Sequence, residues 1–581
     1  PAKRASRPTT RPSTGEPPAD APSLDAYRRR PRQSRGQARV ELLLDAAAAV
    51  IAEQGLHAAT AEAIALRART AKGSLYQFFP NRDAVLAAIT SPDVDVNVKE
   101  ADGSTALMWA TYAVDHELVR ALLKSGAKAD VTNNFGSSAL TEAVKLSDVE
   151  LVRMLIDAGA DADSPNQDNQ TALMIASQLG SLPIAQMLID KGASVNAKET
   201  FREQTALMWA AANGHADIVD LLLEHDADFA PRAKSDDWER QMTSEPRAQF
   251  RNTGGLTALL YATRAGCYRC AVSLVEAGAD INQPNPDGIT PLINALDNKA
   301  FDIAMFLLDK GAKPDTWDMN GRTPIYVAVD MNSFRTPGPQ NVGGAGVAFS
   351  GVGGSALGGQ AASGAQSQVK AMDVVNRLLA MGVDPNHELT RMRPNGPGRG
   401  RFADYMLRGG TGPLMIATLS HDNEAMKALL AHNAEVDVPN AFRITPLMAA
   451  AGMTGTGRRE GNQLQGQDAQ ARVITTMDLL LDAGADVNAR VTGSHDHSAK
   501  LVAYIQGRDH EGRTALFAAA ELGWDRVVQH LLDRGADPNV ADPIGRFPLH
   551  RVRGGRSEFL VDVGRHEHRQ GHTPIGTCDT G

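Results

Sequence analysis

Apolar residues recur along this chain in two rhythms. Between Arg35 and Gln54 they fall three and four apart, so Leu43, Leu44, Ala47, Val50 and Ile51 would share one helix face. Gly55 is a natural stop. Thr60 then offers an N-cap to a short helix, AEAIALRA, a break follows at Arg69–Thr70, and a second short helix runs from Ala71 to about Phe78. Pro80 ends it, and Asn81 caps a fourth helix, RDAVLAAI. Two short helices joined by a tight turn behind a longer one predict a helix-turn-helix.

The second short helix of such a unit enters the major groove of double-stranded DNA. Lys72 and Arg82 supply charge for phosphates, Ser74 and Tyr76 supply hydroxyls, and Gln77 can read a base edge. Thr70 and Ala71 open the helix and belong to the same DNA-facing set. Leu75 and Phe79 face the other way, towards a core. The stretch TAEAIALRARTAKGSLYQFFPNRDAVLAAI resembles the DNA-binding head of the TetR-type bacterial repressors, over about 35–89. The resemblance implies phosphate contacts from Thr60, Tyr76 and Arg82. It also implies binding as a dimer, paired through a larger helical domain. After Thr90 that domain is absent, and the chain turns to SPDVDVNVKEADGSTALMWA. One departure from the family pattern is Arg69, at a turn position usually held by a small residue such as glycine.

From Val94 onwards the rhythm is that of a repeat. The threonine of a T-A/P-L phrase, or the residue in its place, stands at Thr105, Ser138, Thr171, Thr205, Thr257, Thr290, Thr323, Gly412, Thr445, Thr514 and Phe547. Most steps are 33 residues, and the others are 34, 52, 69 and 89. A second phrase, G-A-D-x-N or close to it, begins 21 residues after the first at Gly278, Gly311 and Gly535. Two markers in phase at this period resemble ankyrin repeats over about 94–550, each a turn plus two helices. The resemblance implies partner binding, not catalysis. No unit can bury its apolar face alone, so the stack shares one core. Alanine, leucine and methionine of TALMWA, TALMIA and TPLMAA are therefore expected to pack, with Met108, Met174, Met208 and Met448 where ankyrins usually carry histidine. Trp109 and Trp209 take the next position, which tends to face the concave groove. With Tyr261 they are the candidate anchors for a protein partner.

Three insertions of similar size, near 227–256, 387–411 and 489–513, fall where one repeat hands over to the next, on the hairpin-finger edge. Two more, near 333–369 and 453–471, fall between paired helices and read as flexible loops. The organisation expected is a disordered basic arm over 1–34, the head over 35–90, about eleven repeats over 91–550, and an irregular tail over 551–581. The fold class expected is all-α: a three- or four-helix helix-turn-helix head followed by an ankyrin-repeat α-solenoid with long loop insertions.

Composition narrows the function. With 581 residues, 43% hydrophobic and 22% charged, most of the chain should fold, and only 5% aromatic content suits an Ala/Leu-rich helical array. The net charge of −9 is uneven: residues 1–35 carry +6, residues 36–90 are neutral, and the remainder carries −15. A basic front on an acidic body puts nucleic-acid contact at the front. No apolar run is long enough to cross a membrane. Three cysteines, Cys267, Cys270 and Cys578, are too few for a disulfide framework, and a reducing cytoplasm is the default setting.

Site chemistry is sparse. Cys267 and Cys270 have CxxC spacing, but zinc needs two more ligands and only Cys578 remains. Cys270 falls on an apolar helix position and is expected to pack. His495, Asp496 and His497, and likewise His566, His568 and His572, have ligand-like content in loop settings, and no metal is expected. GVGGSALGGQ follows no strand and precedes no Lys-Ser/Thr pair, so it is no phosphate cradle. Arg391, Arg393, Arg399 and Arg401 crowd one finger and read as a solvated loop. No catalytic set and no cofactor is implied. Two functions remain. One is a TetR-like DNA-binding transcription regulator whose array is a protein-interaction or sensing module. The other is an interaction scaffold whose head has no DNA role. Tight DNA binding needs a dimer, and no pairing segment is evident in the sequence.

Overall fold

The structure, a computed structural model, describes residues 46, 66–69, 96–97, 99, 102–235, 254–334, 368–390, 410–453, 467–493 and 510–548. Among them the fold is all-α, with isolated β-bridges at Thr132–Ser138 and Ser235–Gly254. The chain divides into two compact units, Pro1–Phe201 and Arg202–Gly581. The first unit pairs α1 (Ala106–Tyr112) with α2 (His116–Lys124), α3 (Ala139–Lys145) with α4 (Val149–Asp157), and α5 (Ala172–Leu179) with α6 (Leu182–Asp190). The second pairs α7 (Ala206–Asn213) with α8 (Ala216–Glu224), α9 (Ala258–Ala265) with α10 (Tyr268–Glu276), and α11 (Pro291–Asp297) with α12 (Phe301–Asp309). It continues with α13 (Pro324–Phe334) and α14 (Ala371–Ala380), α15 (Pro413–Leu419) and α16 (Asn423–Ala431), α17 (Pro446–Ala450) and α18 (Gln467–Asp482), and α19 (Ala515–Leu522) and α20 (Asp525–Asp533). Helix α18 begins at Gln467, inside the segment expected to loop.

Three devices recur among the pairs, though not all in every one: α15 starts on Gly412, and a threonine stands five residues before Thr205. The first helix starts on a hydroxyl: Thr105, Thr171, Thr205, Thr257, Thr290 and Thr445 each accept the backbone N–H three residues on. The second helix ends in a left-handed residue followed by alanine or valine. Around Gly126, for example, the Gly126 N–H donates to the Leu123 carbonyl and the Ala127 N–H to the Leu122 carbonyl. Five residues before the hydroxyl stands an Asn or Asp. Its side chain accepts two N–H groups, two and four residues on, at Asn133, Asn166, Asn285, Asp318, Asn440 and Asp542. This side chain shapes the turn that projects between helix pairs.

Within each unit the first helices stack in chain order and the second helices form a matching row. The core lies between the rows, and methionines at the histidine position are buried in it, among them Met108, Met174, Met208 and Met448. The three handover insertions leave this stack unbroken. Each is pinched at its base by paired backbone hydrogen bonds. The Ala233 N–H donates to the Leu256 carbonyl at 2.9 Å, the Leu389 N–H to Thr411 at 3.1 Å, and the Val491 N–H to Arg513 at 3.0 Å. The chain therefore leaves and re-enters the stack at neighbouring points.

At the front of the first unit, Leu66 and Arg67 are helical and a turn follows at Ala68 and Arg69. Arg69 takes the left-handed conformation, φ 52°, and its N–H donates to the Leu66 carbonyl at 3.0 Å. The turn thus forms with arginine where the family pattern has a small residue. Ala68 is buried and Leu66 is exposed.

Candidate interaction surface

The fourth residue after each capping hydroxyl sits at an equivalent place in successive pairs. In the first unit Trp109 is half-buried, with the exposed Tyr112 ring edge-on at 6.0 Å. In the second unit Trp209 on α7 and Tyr261 on α9 occupy that place on adjacent helices. Trp209 is half-buried; Tyr261 is buried, and its hydroxyl accepts a hydrogen bond from Gln204 Nε2 at 2.7 Å. The indole N–H groups of Trp109 and Trp209 are both enclosed and have no hydrogen-bond partner.

Arg264 lies over the Tyr261 ring, 4.8 Å from its centre. Burial lowers the pKa of its guanidinium; Tyr261 opposes that shift, and the neighbouring cation Arg202 adds to it. Two guanidinium groups, Arg264 and Arg202, thus lie close enough to Tyr261 and to each other to interact.

The junctions between pairs are held by polar side chains that the repeat pattern does not announce. The asparagine closing the G-A-D-x-N phrase, or its counterpart, reaches to the next pair. Asn97, Asn282, Asn386 and Asn488 each accept a backbone N–H there, at 2.8 Å in every case, from Lys128, Lys313, Glu435 and Asp537. Arg322 is buried. Its guanidinium meets both oxygens of Asp297 at 2.8 and 2.9 Å, and its Nε donates to Asp318 at 2.7 Å. Burial works against the charge, and the two carboxylates outweigh it, so the pKa is raised.

Cys270 is packed in the core as expected, and its sulfur is also joined to that of Cys267. Cys267 caps α10 and Cys270 is its third residue. A helix start folds these two positions towards each other, with Cα atoms 5.3 Å apart. The CxxC spacing is visible in the sequence, whereas the bond depends on that spacing lying across a helix start.

Among the described residues no group of His, Cys, Asp and Glu could hold a metal ion, and no helix is long and apolar enough to cross a membrane. Thr60, Thr70, Ala71, Lys72, Ser74, Tyr76, Gln77 and Arg82 lie outside the described residues. So do the two histidine groups, the glycine-rich segment and the Arg391–Arg401 cluster.

Comparison with known families fits this architecture. Residues 43–89 match the model described as bacterial regulatory proteins, tetR family. A model of three ankyrin repeats matches residues 77–166, 107–199, 148–233, 198–285 and 259–336, and a single-repeat model matches 511–543. Neither matched family is of a catalytic kind. The chain is similar to the neurogenic locus Notch protein of Drosophila melanogaster, 34% identical over 117 residues, which is 20% of this chain and 4% of that protein. It is similar to the ankyrin repeat and KH domain-containing protein mask-1 of Caenorhabditis elegans, 32% identical over 136 residues, 22% of this chain and 5% of that one. It also resembles the serine/threonine-protein kinase VIK of Arabidopsis thaliana, 33% identical over 97 residues, 17% of this chain and 22% of that one. The chain thus spans a small part of each of these relatives.

Proposed function

We propose, from the premise that this chain is an ankyrin-repeat protein with a TetR-type head, that it is a DNA-binding transcription regulator whose array docks a protein partner. The observation that carries the reading is the TetR match over 43–89, directly behind an arm that makes residues 1–35 carry +6. In this reading Thr60, Thr70, Tyr76 and Arg82 hold phosphates, with Lys72 and Ser74 beside them. Gln77 reads a base edge, and Ala71 lets the helix start lie close to the groove. The left-handed conformation of Arg69 supports it, because a helix-turn-helix needs a tight turn at this point in the sequence. Trp109, Trp209 and Tyr261 are the proposed contacts to the protein partner, and the cytoplasm is the proposed location.

A single helix-turn-helix makes few base contacts, so sub-micromolar, sequence-selective binding requires a dimer. Light scattering together with selection of bound duplexes from a random pool tests this. The expected result is a dimer that enriches a two-part site and shifts it at about 100 mM salt. Lys72→Ala with Tyr76→Ala should abolish the shift without loss of helicity. A monomer that shifts no duplex would overturn the reading. The extent of the ankyrin matches, 77–336 and 511–543, favours the second reading in that event: an interaction scaffold.

A further inference from the structure

Cys267 and Cys270 open α10 as a bonded pair, and their surroundings are unequal. Cys267 is partly accessible, whereas Cys270 is fully buried. We propose that this pair is a thiol–disulfide exchange site, reduced and re-formed by small thiols and disulfides of the glutathione or dithiol class.

Two observations argue against a structural staple. The bond closes a loop with a sequence separation of only 3, which restrains the unfolded chain little. The helix is also held by contacts that do not involve sulfur. Arg269 pairs with Asp217 and Asp220 on α8, both at 2.8 Å, Ser273 donates to Asp220, and the Tyr268 ring meets Phe306 on α12 edge-on at 5.7 Å. Helix α10 therefore stays docked whether the sulfurs are joined or free.

Two further observations argue for exchange. The accessible sulfur stands at the N-cap of a nine-residue helix, where unpaired N–H groups favour a thiolate. The Cys270 N–H lies 3.2 Å from the Cys267 sulfur and points at it. An accessible, stabilised thiolate with a buried resolving partner three residues on is the arrangement exchange requires.

The chemistry balances with one co-reactant. An external thiolate attacks the Cys267 sulfur, the Cys267–Cys270 bond breaks, and Cys270 leaves as a thiolate that takes up a proton. The mixed disulfide at Cys267 is then attacked by a second thiolate, which leaves a Cys267 thiolate and an oxidised reductant. Two electrons and one proton have entered the pair, and a second proton enters only if the Cys267 thiolate is itself protonated. In the reverse direction Cys267 attacks a disulfide oxidant and Cys270 resolves the mixed disulfide.

The test uses the full chain carrying Cys578→Ser, so that the third sulfur does not enter. The chain is equilibrated anaerobically in mixtures of reduced and oxidised glutathione, quenched in acid, labelled with a maleimide and mapped by mass. Cys267 and Cys270 should gain or lose their labels together in one two-electron transition. Adding Cys270→Ser should trap one glutathione on Cys267, removable by dithiothreitol. Adding Cys267→Ser instead should leave Cys270 labelled roughly tenfold or more slowly until the chain is unfolded. The proposal falls if both thiols stay free in oxidised glutathione. It also falls if the bond resists dithiothreitol until the chain is unfolded. Labelling of the parent chain decides the matter even if a variant misfolds.

Discussion

Asn386 accepts the backbone N–H of Glu435 at 2.8 Å across 49 residues of sequence, and its amide donates back to the Asn433 carbonyl at 3.1 Å. The two bonds tie this repeat to the next at the junction that carries the insertion over residues 387–411. Asn488 makes the same two bonds to Asp537 and Gly535 at the next such junction. One side chain thus ties neighbouring repeats together at each of these two insertions.

Asn386→Ala should cost about 1 kcal/mol, since both bonds are solvent-facing and each is worth roughly that or less. In a solenoid the loss acts on the coupling between neighbours. Urea unfolding should therefore broaden or split into two steps, not merely shift its midpoint. Combining it with Asn488→Ala should add the two costs, because the junctions share no partner. An unchanged, single sharp transition would show that the asparagine does not set the register.

Arg322 is a different kind of tie. It is enclosed between Asp297 and Asp318, and Asp318 is buried with it. Arg322→Ala leaves two carboxylates without their cation and should cost about 3–5 kcal/mol in denaturant unfolding. The loss should change little between low and high salt, because the group is shielded from solvent ions. A loss under about 1 kcal/mol would place the pair in the weak, surface class.

The period of 33 residues, its two markers and the burial of the methionines were legible in the sequence, because each reports a local demand: a cap, a left-handed turn, an apolar face. The ties between repeats were not. Arg322 and Asp318 are four residues apart in D-M-N-G-R, and that half of the cluster was readable. Asp297 is 25 residues away on another helix, and only the stacking brings it in. The asparagine of G-A-D-x-N was visible as punctuation, yet its reach to the next repeat depends on how two turns face each other. Tyr261 shares the repeat position of Trp109 and Trp209, so the sequence alone marks it as a partner contact. It is buried instead, with its hydroxyl held by Gln204, 57 residues earlier.

Arg69 holds a left-handed conformation that costs a side-chain-bearing residue about 1–2 kcal/mol. Glycine removes that strain but frees the unfolded chain, which returns about half of the gain. Arg69→Gly should thus slow amide exchange around Leu66–Arg69 by a few-fold in the full chain. Faster exchange there would mean that the arginine side chain contributes more than its backbone conformation costs.

His421 makes the second unit sensitive to mild acid. Its Nδ1 lies 3.0 Å from the Thr476 hydroxyl, which itself donates to Asn423 Oδ1 at 2.9 Å. Burial first, and the cation Arg472 second, hold its pKa at about 4. In the unfolded chain the same imidazole titrates near 6.5. Between these values the unfolded state binds a proton that the folded state refuses, so stability rises with pH across this window and is fully present above it. Lowering the pH from 7 to 4 should cost up to about 3 kcal/mol through this group alone. His421→Gln keeps a polar group of similar reach without the titration, and should flatten that part of the pH profile while lowering stability at pH 7 only modestly. Equal slopes for parent and variant between pH 4 and 6.5 would rule His421 out as the source.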